Sequence, residues 1–375
     1  MPALYLHVPF CRQACTYCDF HFTTARRGRG EMVDAIAREI GLRHTEMPAG
    51  LWTSVYFGGG TPSLLGAERI EQLLTAAAEA RPIAGDAEVT LEANPDDLTP
   101  EALAAFAKTR INRLSVGVQS FREADLRFMN RAHDAEQAAR CIGEAQAAGF
   151  RELSVDLIYG TPGLDDAGWR DNLRRAVDAG VPHLSCYALT VEERTALAHQ
   201  IRTGRTRPLD EAQAARQMEL AMDVLAEAGY EQYEVSSWAL PGHRARHNSA
   251  YWLGSAYLGV GPSAHSFDGE AVRSWNVRHN PRYVAAIAAG ELPTERETLT
   301  RRDRYHELVL TRLRTAWGVD RAEVERLGYG EHFARELTGP LARGLAEEHA
   351  PGSYRLTPRG RLVADAVTAE LFADD

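Results

Sequence analysis

The chain has 375 residues, of which 45% are hydrophobic and 25% charged, with a formal net charge of −10. That is an ordinary globular composition, long for a single core, so one large domain and a smaller one are expected. The acidic balance, with Arg scattered among Glu and Asp, argues against general binding to nucleic-acid phosphates. The opening MPALYLHVPF lacks the charged and apolar regions of a signal peptide. No run approaches the ~20 apolar residues needed to cross a bilayer. A cytoplasmic setting with reduced thiols is therefore expected, and any attachment to a membrane would run through a partner. Five Cys form too sparse and odd a set for a disulfide framework.

In chain order, β-like runs at 4–8, 54–57, 88–92, 113–118, 153–158 and 183–188 alternate with amphipathic stretches near 31–44, 67–80, 100–109, 135–148 and 166–179. Gly149 is a normal stop signal for the fourth of these helices. Strand–helix alternation implies an α/β fold with parallel strands and crossover helices. Six units suggest a partial, open relative of the eight-stranded barrel, with an open flavodoxin-like sheet as the alternative. A longer helix at 210–228 precedes a mixed strand at 230–236. Residues 237–282, rich in Gly, Trp, Tyr and His without a clean period, read as a functional loop. After Pro293, helices at 301–315, 320–326, near 331–346 and at 359–372, with a short β-like segment at 352–357, look like a winged-helix module for packing or for a partner. The expected divisions are 1–236, 237–292 and 293–375. Cys141 and Cys186, isolated in apolar stretches, read as packing residues.

Cys11, Cys15 and Cys18 crowd three thiols onto one loop directly after the first strand. Closely spaced thiolates hold iron–sulfur clusters, usually through four ligands. Three ligands on a four-iron cluster leave one iron open to a small molecule. A structural zinc site would want a fourth Cys or His nearby; the candidate is His21, and no second pair exists. The three-Cys spacing resembles that of the radical S-adenosylmethionine (SAM) superfamily. Further candidates end the other strands, Gly58-Gly59-Gly60-Thr61-Pro62, Glu92, Gln119 with Arg131 beyond it, and Cys186-Tyr187-Ala188, while the fifth run opens with Val155-Asp156. Parallel barrels build active sites at these carboxyl ends. Glycines let a ligand lie against the backbone, a carboxylate can accept from ribose hydroxyls, and Arg can pair with a carboxylate. Any one of these residues could equally be a helix cap or a surface polar group.

The series Tyr5-x-His7-x-Pro9-Phe10-Cys11, Phe57-Gly-Gly-Gly-Thr-Pro62, Gly117-Val-Gln119 and Asp156-Leu-Ile-Tyr-Gly160 resembles the oxygen-independent coproporphyrinogen III oxidase group of radical SAM proteins over nearly the whole chain. The resemblance implies a partial (βα)6 radical SAM barrel with a small winged-helix-like C-terminal domain. It implies a [4Fe–4S] cluster on Cys11, Cys15 and Cys18. It also implies SAM contacts from Tyr5, Tyr17, Gly59, Gly60, Thr61, Glu92, Gln119, Arg131, Asp156 and Ala188. The oxidase branch has a fourth Cys two residues after the third and a longer amino-terminal extension. Here Phe20 occupies that position, and Cys11 comes almost at once.

The haem-chaperone branch of the group has the three-Cys pattern followed by Asp-Phe, and the motif H-N-x-x-Y-W. This chain carries His247-Asn248-Ser249-Ala250-Tyr251-Trp252. That resemblance implies haem as cargo, bound through His247, Asn248, Tyr251 and Trp252, and haem-accepting partners such as respiratory cytochromes or bacterioferritin. A neutral imidazole is a standard axial ligand, and the two aromatics offer flat faces to a macrocycle. If the segment is helical, His247 and Tyr251 share a face; a merely packed loop is the competing reading. His265 sits in a second family-like motif to which no role is assigned. Two enzymatic alternatives stay open: decarboxylation of coproporphyrinogen propionates to vinyl groups, and radical SAM chemistry on an unrelated substrate.

Overall fold

The computed structural model describes residues 2–25 and 27–374. Six parallel strands lie side by side in chain order: β1 (Ala3–Val8), β2 (Trp52–Gly59), β3 (Ile83–Ala93), β4 (Arg113–Gln119), β5 (Glu152–Tyr159) and β6 (His183–Ala188). Crossover helices join them, including Arg29–Arg43, Ala67–Ala80, Pro100–Phe106, Ala135–Ala147 and Asp166–Asp178. Side-chain caps from Thr99, Asp134 and Asp165 start three of these helices, satisfying backbone donors that a helix leaves free. A doubly wound sheet reverses its strand order at a switch point. No reversal occurs between β1 and β6, so the winding is that of an open barrel and the flavodoxin-like alternative falls.

Pleating sends alternate side chains to opposite faces. Leu4, Leu6, Val55, Phe57, Val89, Leu91, Val155 and Leu157 pack with helix residues such as Ile36, Leu73, Leu103, Ile142 and Leu173. The intervening residues, among them Tyr5, His7, Ser54, Tyr56, Thr90, Glu92, Ser154 and Asp156, therefore occupy the other face. Parallel register sets Tyr5 beside Tyr56 and Glu92 beside Ser115. The barrel interior is thus polar.

The segment expected to be a loop is instead regular. The single strand expected at 230–236 is a hairpin of β7 (Glu231–Glu234) and β8 (Ser237–Ala239), with β8 antiparallel to β6. Helix Arg246–Trp252 follows, then β9 (Tyr257–Val260), β10 (His265–Phe267), β11 (Val272–Asn276), helix Asn280–Ala289 and β12 (Thr294–Thr298). β9 runs parallel to β1 on the side away from β2, and β10 to β12 continue outward to complete a 12-stranded sheet. These strands are too short to display a period, and glycines interrupt them. At Gly259 a Cβ would meet the carbonyl oxygen of His265 at 1.9 Å, so close strand approach there requires glycine.

The C-terminal module has its own core, built from Tyr305, Val309, Val324, Phe333, Leu337 and Leu356. Helices Arg301–Leu313, Arg321–Arg326 and Gly330–Ala342 accompany a small sheet of β13 (Val319–Asp320), β14 (Ala346–Ala350) and β15 (Ser353–Leu356). The helix expected to reach 346 stops at Ala342, where Gly344 at φ 66° turns the chain in the manner of a helix C-terminus. The last expected helix divides into Pro358–Arg361 and Ala364–Glu370.

One buried ion pair ties the added strands to the barrel. Arg43 donates to Glu39 at 2.8 Å, to the Gly259 carbonyl at 3.2 Å and to the hydroxyls of Ser266 and Ser274 at 3.3 and 3.0 Å. Glu39 accepts from the Gly261 N–H, Asn276 and Tyr283 at 2.8, 2.7 and 2.6 Å. Both side chains of the pair are fully buried. Removing one partner leaves the other charge uncompensated. Glu39→Ala is expected to lower the unfolding free energy by about 3–5 kcal/mol, measured by urea denaturation; a loss under about 1 kcal/mol would contradict this role.

Candidate functional site

The loop after β1 carries the three thiols and is pinned at several points. The Cys11 N–H donates to the Thr23 carbonyl at 3.0 Å, and the Thr16 N–H to the Met129 carbonyl at 3.1 Å. The Thr61 hydroxyl lies 3.6 Å from the Cys11 sulfur, and Arg131 Nη1 lies 3.3 Å from the Cys15 sulfur. Burial pushes the Cys11 thiol up to about 12 and also raises Cys18; thiols bind a metal as thiolates, so metal binding there would release protons. Among the described residues, no three His, Cys, Asp or Glu side chains converge on a single-ion position; the thiols instead line one wall of a cavity of about 950 Å³.

Residues from the ends of β2 to β6 line the same cavity. Gly60 and Thr61 follow β2, and Glu92, Gln119, Asp156 and Ala188 come from β3, β4, β5 and β6, with Tyr17 and Arg131 beside the thiols. Gly59 has φ 108°, and a Cβ there would come within 2.7 Å of the His7 ring; at Gly60 it would come within 2.6 Å of the Phe10 carbonyl oxygen. No larger residue fits where this strand end passes the cysteine loop, which leaves backbone as the cavity wall. Gln119 closes β4 in the left-handed region at φ 66°, uncommon for a residue with a Cβ. Arg131 Nη2 donates to Asn94 and to the Gly117 carbonyl, both at 2.6 Å, while its buried Nε has no hydrogen-bond partner among the described residues. Burial raises Glu92 to about 7 and Asp156 to about 6. Glu92 accepts from the Tyr56 hydroxyl at 2.8 Å.

A second cavity, of about 1200 Å³, shares Asp19, Phe20, Gly59 and Glu92 with the first. Tyr5, Tyr251 and Trp252 line this one. Tyr5 thus faces the neighbouring space rather than the thiol cavity, its hydroxyl 3.3 Å from His7 Nδ1. His247 and Asn248 line neither cavity. The H-N-x-x-Y-W segment is helical, as the shared-face expectation required, but the imidazole does not present itself as an open ligand. His247 is 1% exposed, with Nδ1 2.8 Å from Ser54 Oγ and Nε2 2.8 Å from the Tyr251 hydroxyl. Burial lowers it to about 3, so the ring is neutral. His265 lines the larger cavity, and its ring nitrogens make no hydrogen bond among the described residues.

Sequence reasoning missed Ser54, Tyr56 and Asn94, which hold His247, Glu92 and Arg131. Two of these, Ser54 and Tyr56, stand at alternate positions of β2, so the period-2 pattern alone places them on the inward face. Sequence reasoning also missed Arg301 and Arg304, which line the larger cavity from the C-terminal module.

Three thiols with room beside them, two inward carboxylates, a glycine backbone wall and an unpartnered guanidinium Nε fit an iron–sulfur cluster with a small zwitterionic ligand against it. Such a site at the mouth of an open parallel barrel defines a radical SAM protein, and the Radical SAM superfamily model matches residues 5–176. The chain is 41% identical to the haem chaperone HemW of Mycobacterium tuberculosis, over 98% of this chain and 94% of that protein. It is 31% identical to HemW of Escherichia coli K12, over 99% and 97%. It therefore belongs to the HemW family of radical SAM proteins. Coproporphyrinogen III oxidase of Escherichia coli, a radical SAM enzyme, shares the fold with a TM-score of 0.82 over 99% of this chain and 90% of that one, at 24% identity. Membership of the superfamily implies a [4Fe–4S] cluster and SAM.

The raised carboxylates set a pH dependence. A carboxyl whose folded pKa exceeds its unfolded value binds protons more tightly when folded, so its contribution falls as pH rises between the two values. For Glu92 that window runs from 4.5 to about 7. The ligand-free protein is expected to lose thermal stability across it, and Glu92→Gln should flatten the slope and melt higher than wild type at pH 8. Parallel melting curves from pH 5 to 8 check this; identical slopes would refute it.

Proposed function

We propose that the protein is a haem chaperone that binds haem in the larger cavity and passes it to haem-accepting proteins, with a cluster and SAM in the adjoining cavity. The observation that carries this reading is the shared wall: the larger cavity joins the thiol cavity through Phe20, Gly59 and Glu92 and is faced by Tyr251 and Trp252. Phe20, 73% exposed, stands where the oxidase branch has its fourth Cys and offers a flat apolar face to a macrocycle. The cavity size suits a drug-sized or larger ligand.

Cys11, Cys15 and Cys18 would hold the cluster, with Arg131 donating to the Cys15 sulfur and Thr61 to Cys11. Glu92 and Asp156 would accept from ribose hydroxyls, Gly59 and Gly60 would offer backbone, and Arg131 Nε would meet a carboxylate, with Gln119, Tyr17 and Ala188 closing the pocket. When bound, the cluster and SAM supply one-electron chemistry. Across the larger cavity, helix Arg301–Leu313 turns Arg301, Arg304 and Leu308 inward, positions three or four apart and so on one face. Arg301 and Arg304 are exposed, and their guanidinium groups make no ion pair or hydrogen bond among the described residues. Two unengaged guanidinium groups opposite Trp252 suit the two propionates of haem.

The first test is anaerobic reconstitution with iron and sulfide, followed by haem titration monitored by absorbance, with and without SAM. Stoichiometric, tight uptake is expected; no uptake, with coproporphyrinogen consumed instead, would move the protein to the oxidase branch. Cys11→Ala, Cys15→Ala and Cys18→Ala should each abolish the cluster's absorbance. The double variant R301A/R304A should weaken haem binding by about 5- to 30-fold, the scale of two partly exposed ion pairs, and leave the cluster intact. Haem dimethyl ester should bind wild type and the double variant alike; equal loss for both ligands would show that the arginines do not read the propionates.

A further inference from the structure

The haem reading above leaves open which atom meets the iron, and the inference drawn here rests on that reading. His247 and Tyr251 stand one turn apart in helix Arg246–Trp252. The start of that helix is fixed by Glu88 of β3, whose carboxylate accepts from the N–H groups of Arg246 and His247 at 2.9 and 2.8 Å. The imidazole is then held on both sides. Nδ1 meets Ser54 of β2, Nε2 meets the Tyr251 hydroxyl, and the ring stacks on Tyr56 with centroids 4.9 Å apart at 27°. To reach the cavity, His247 would have to give up all three contacts. Tyr251 already forms part of the cavity wall, and an edge-on contact with Tyr257, 4.6 Å between centroids at 85°, fixes its ring.

We propose that the Tyr251 hydroxyl oxygen, rather than an imidazole nitrogen of His247, is the axial ligand to ferric haem, and that His247 is its positioning residue. Tyrosine is an established haem ligand, and an oxygen donor suits the harder ferric ion. As the iron–oxygen bond forms, the O–H bond breaks. The proton leaves to water through the larger cavity that Tyr251 lines, while the His247 ring stays neutral, donating Nε2–H to the bound oxygen and accepting from Ser54 at Nδ1; no electron changes hands. A relay of serine, histidine and tyrosine running from a strand to a cavity wall is the arrangement that aims and polarises a metal ligand from behind. The motif then divides its labour. Tyr251 coordinates, Trp252 faces the macrocycle, and His247 with Ser54 and Glu88 holds the phenol in place.

The test uses the full-length, cluster-reconstituted protein titrated with ferric haem, read by resonance Raman. Wild type should show iron–phenolate modes that shift when the protein is made with ring-deuterated tyrosine, a measurement that needs no variant. Y251F should lose those modes while its cluster absorbance shows that it has folded. H247Q should keep them but release haem about 10- to 100-fold faster, the usual scale for a residue behind a metal ligand. H265A, which removes the unpartnered imidazole on the same wall, should leave them unchanged. Stoichiometric haem without phenolate modes in wild type, or an imidazole-ligated spectrum that survives Y251F and vanishes in H247Q or H265A, overturns the assignment while the haem reading stands. If wild type takes up no haem at all, the haem reading itself fails and the assignment falls with it.

Discussion

Glu92 and Asp156 sit inside the ring of parallel strands, where burial raises both carboxyls even though Arg131 and Arg113 return part of the loss at Asp156. The rest of the site depends on this constraint. Pleating leaves no choice about which residues face inward once the apolar set is committed to the helices. An interior lined by Tyr5, Tyr56, Glu92 and Asp156 is a poor core, because polar groups out of water need partners. A cationic, hydroxyl-rich ligand such as the SAM that the superfamily implies would supply both missing elements, positive charge against the carboxylates and donors for their free lone pairs. A polar interior and such a ligand would be two sides of one energetic requirement. The same argument explains the glycines after β2, since the ligand must approach the backbone where side chains have been excluded.

Much of this was legible in the sequence because parallel strands advertise themselves. Runs such as Leu4-Tyr5-Leu6-His7-Val8 are apolar at alternate positions and end in residues with chemistry, so the strand ends and their order along the rim could be read directly. The cysteine spacing needed no fold at all. What failed was the stretch from 237 to 298. Its strands are three to five residues long, so they show no period, and their stability comes from Arg43 and Glu39, more than two hundred residues away in the chain. No local pattern carries that information. The surroundings of His247 were illegible for a related reason. Spacing showed that His247 and Tyr251 share a helical face, but not that Ser54 waits behind the imidazole on a neighbouring strand, and that contact decides which of the two reaches the cavity.

The two cavities meet at Gly59 and Glu92. Glu92 bonds Tyr56, Tyr56 stacks on His247, and His247 bonds Tyr251. This chain of contacts runs from the wall of the thiol cavity to the wall of the larger one without leaving packed side chains. A ligand that fixed the charge and orientation of Glu92 would act directly on Tyr56, the ring that backs His247. Coupling between sites requires that each ligand bias a shared element, and the Tyr56–His247 stack is the packed contact that lies between the two cavities. Under the haem reading, filling the cofactor cavity would change how firmly the cargo is held, whether or not an electron ever crosses between the two sites.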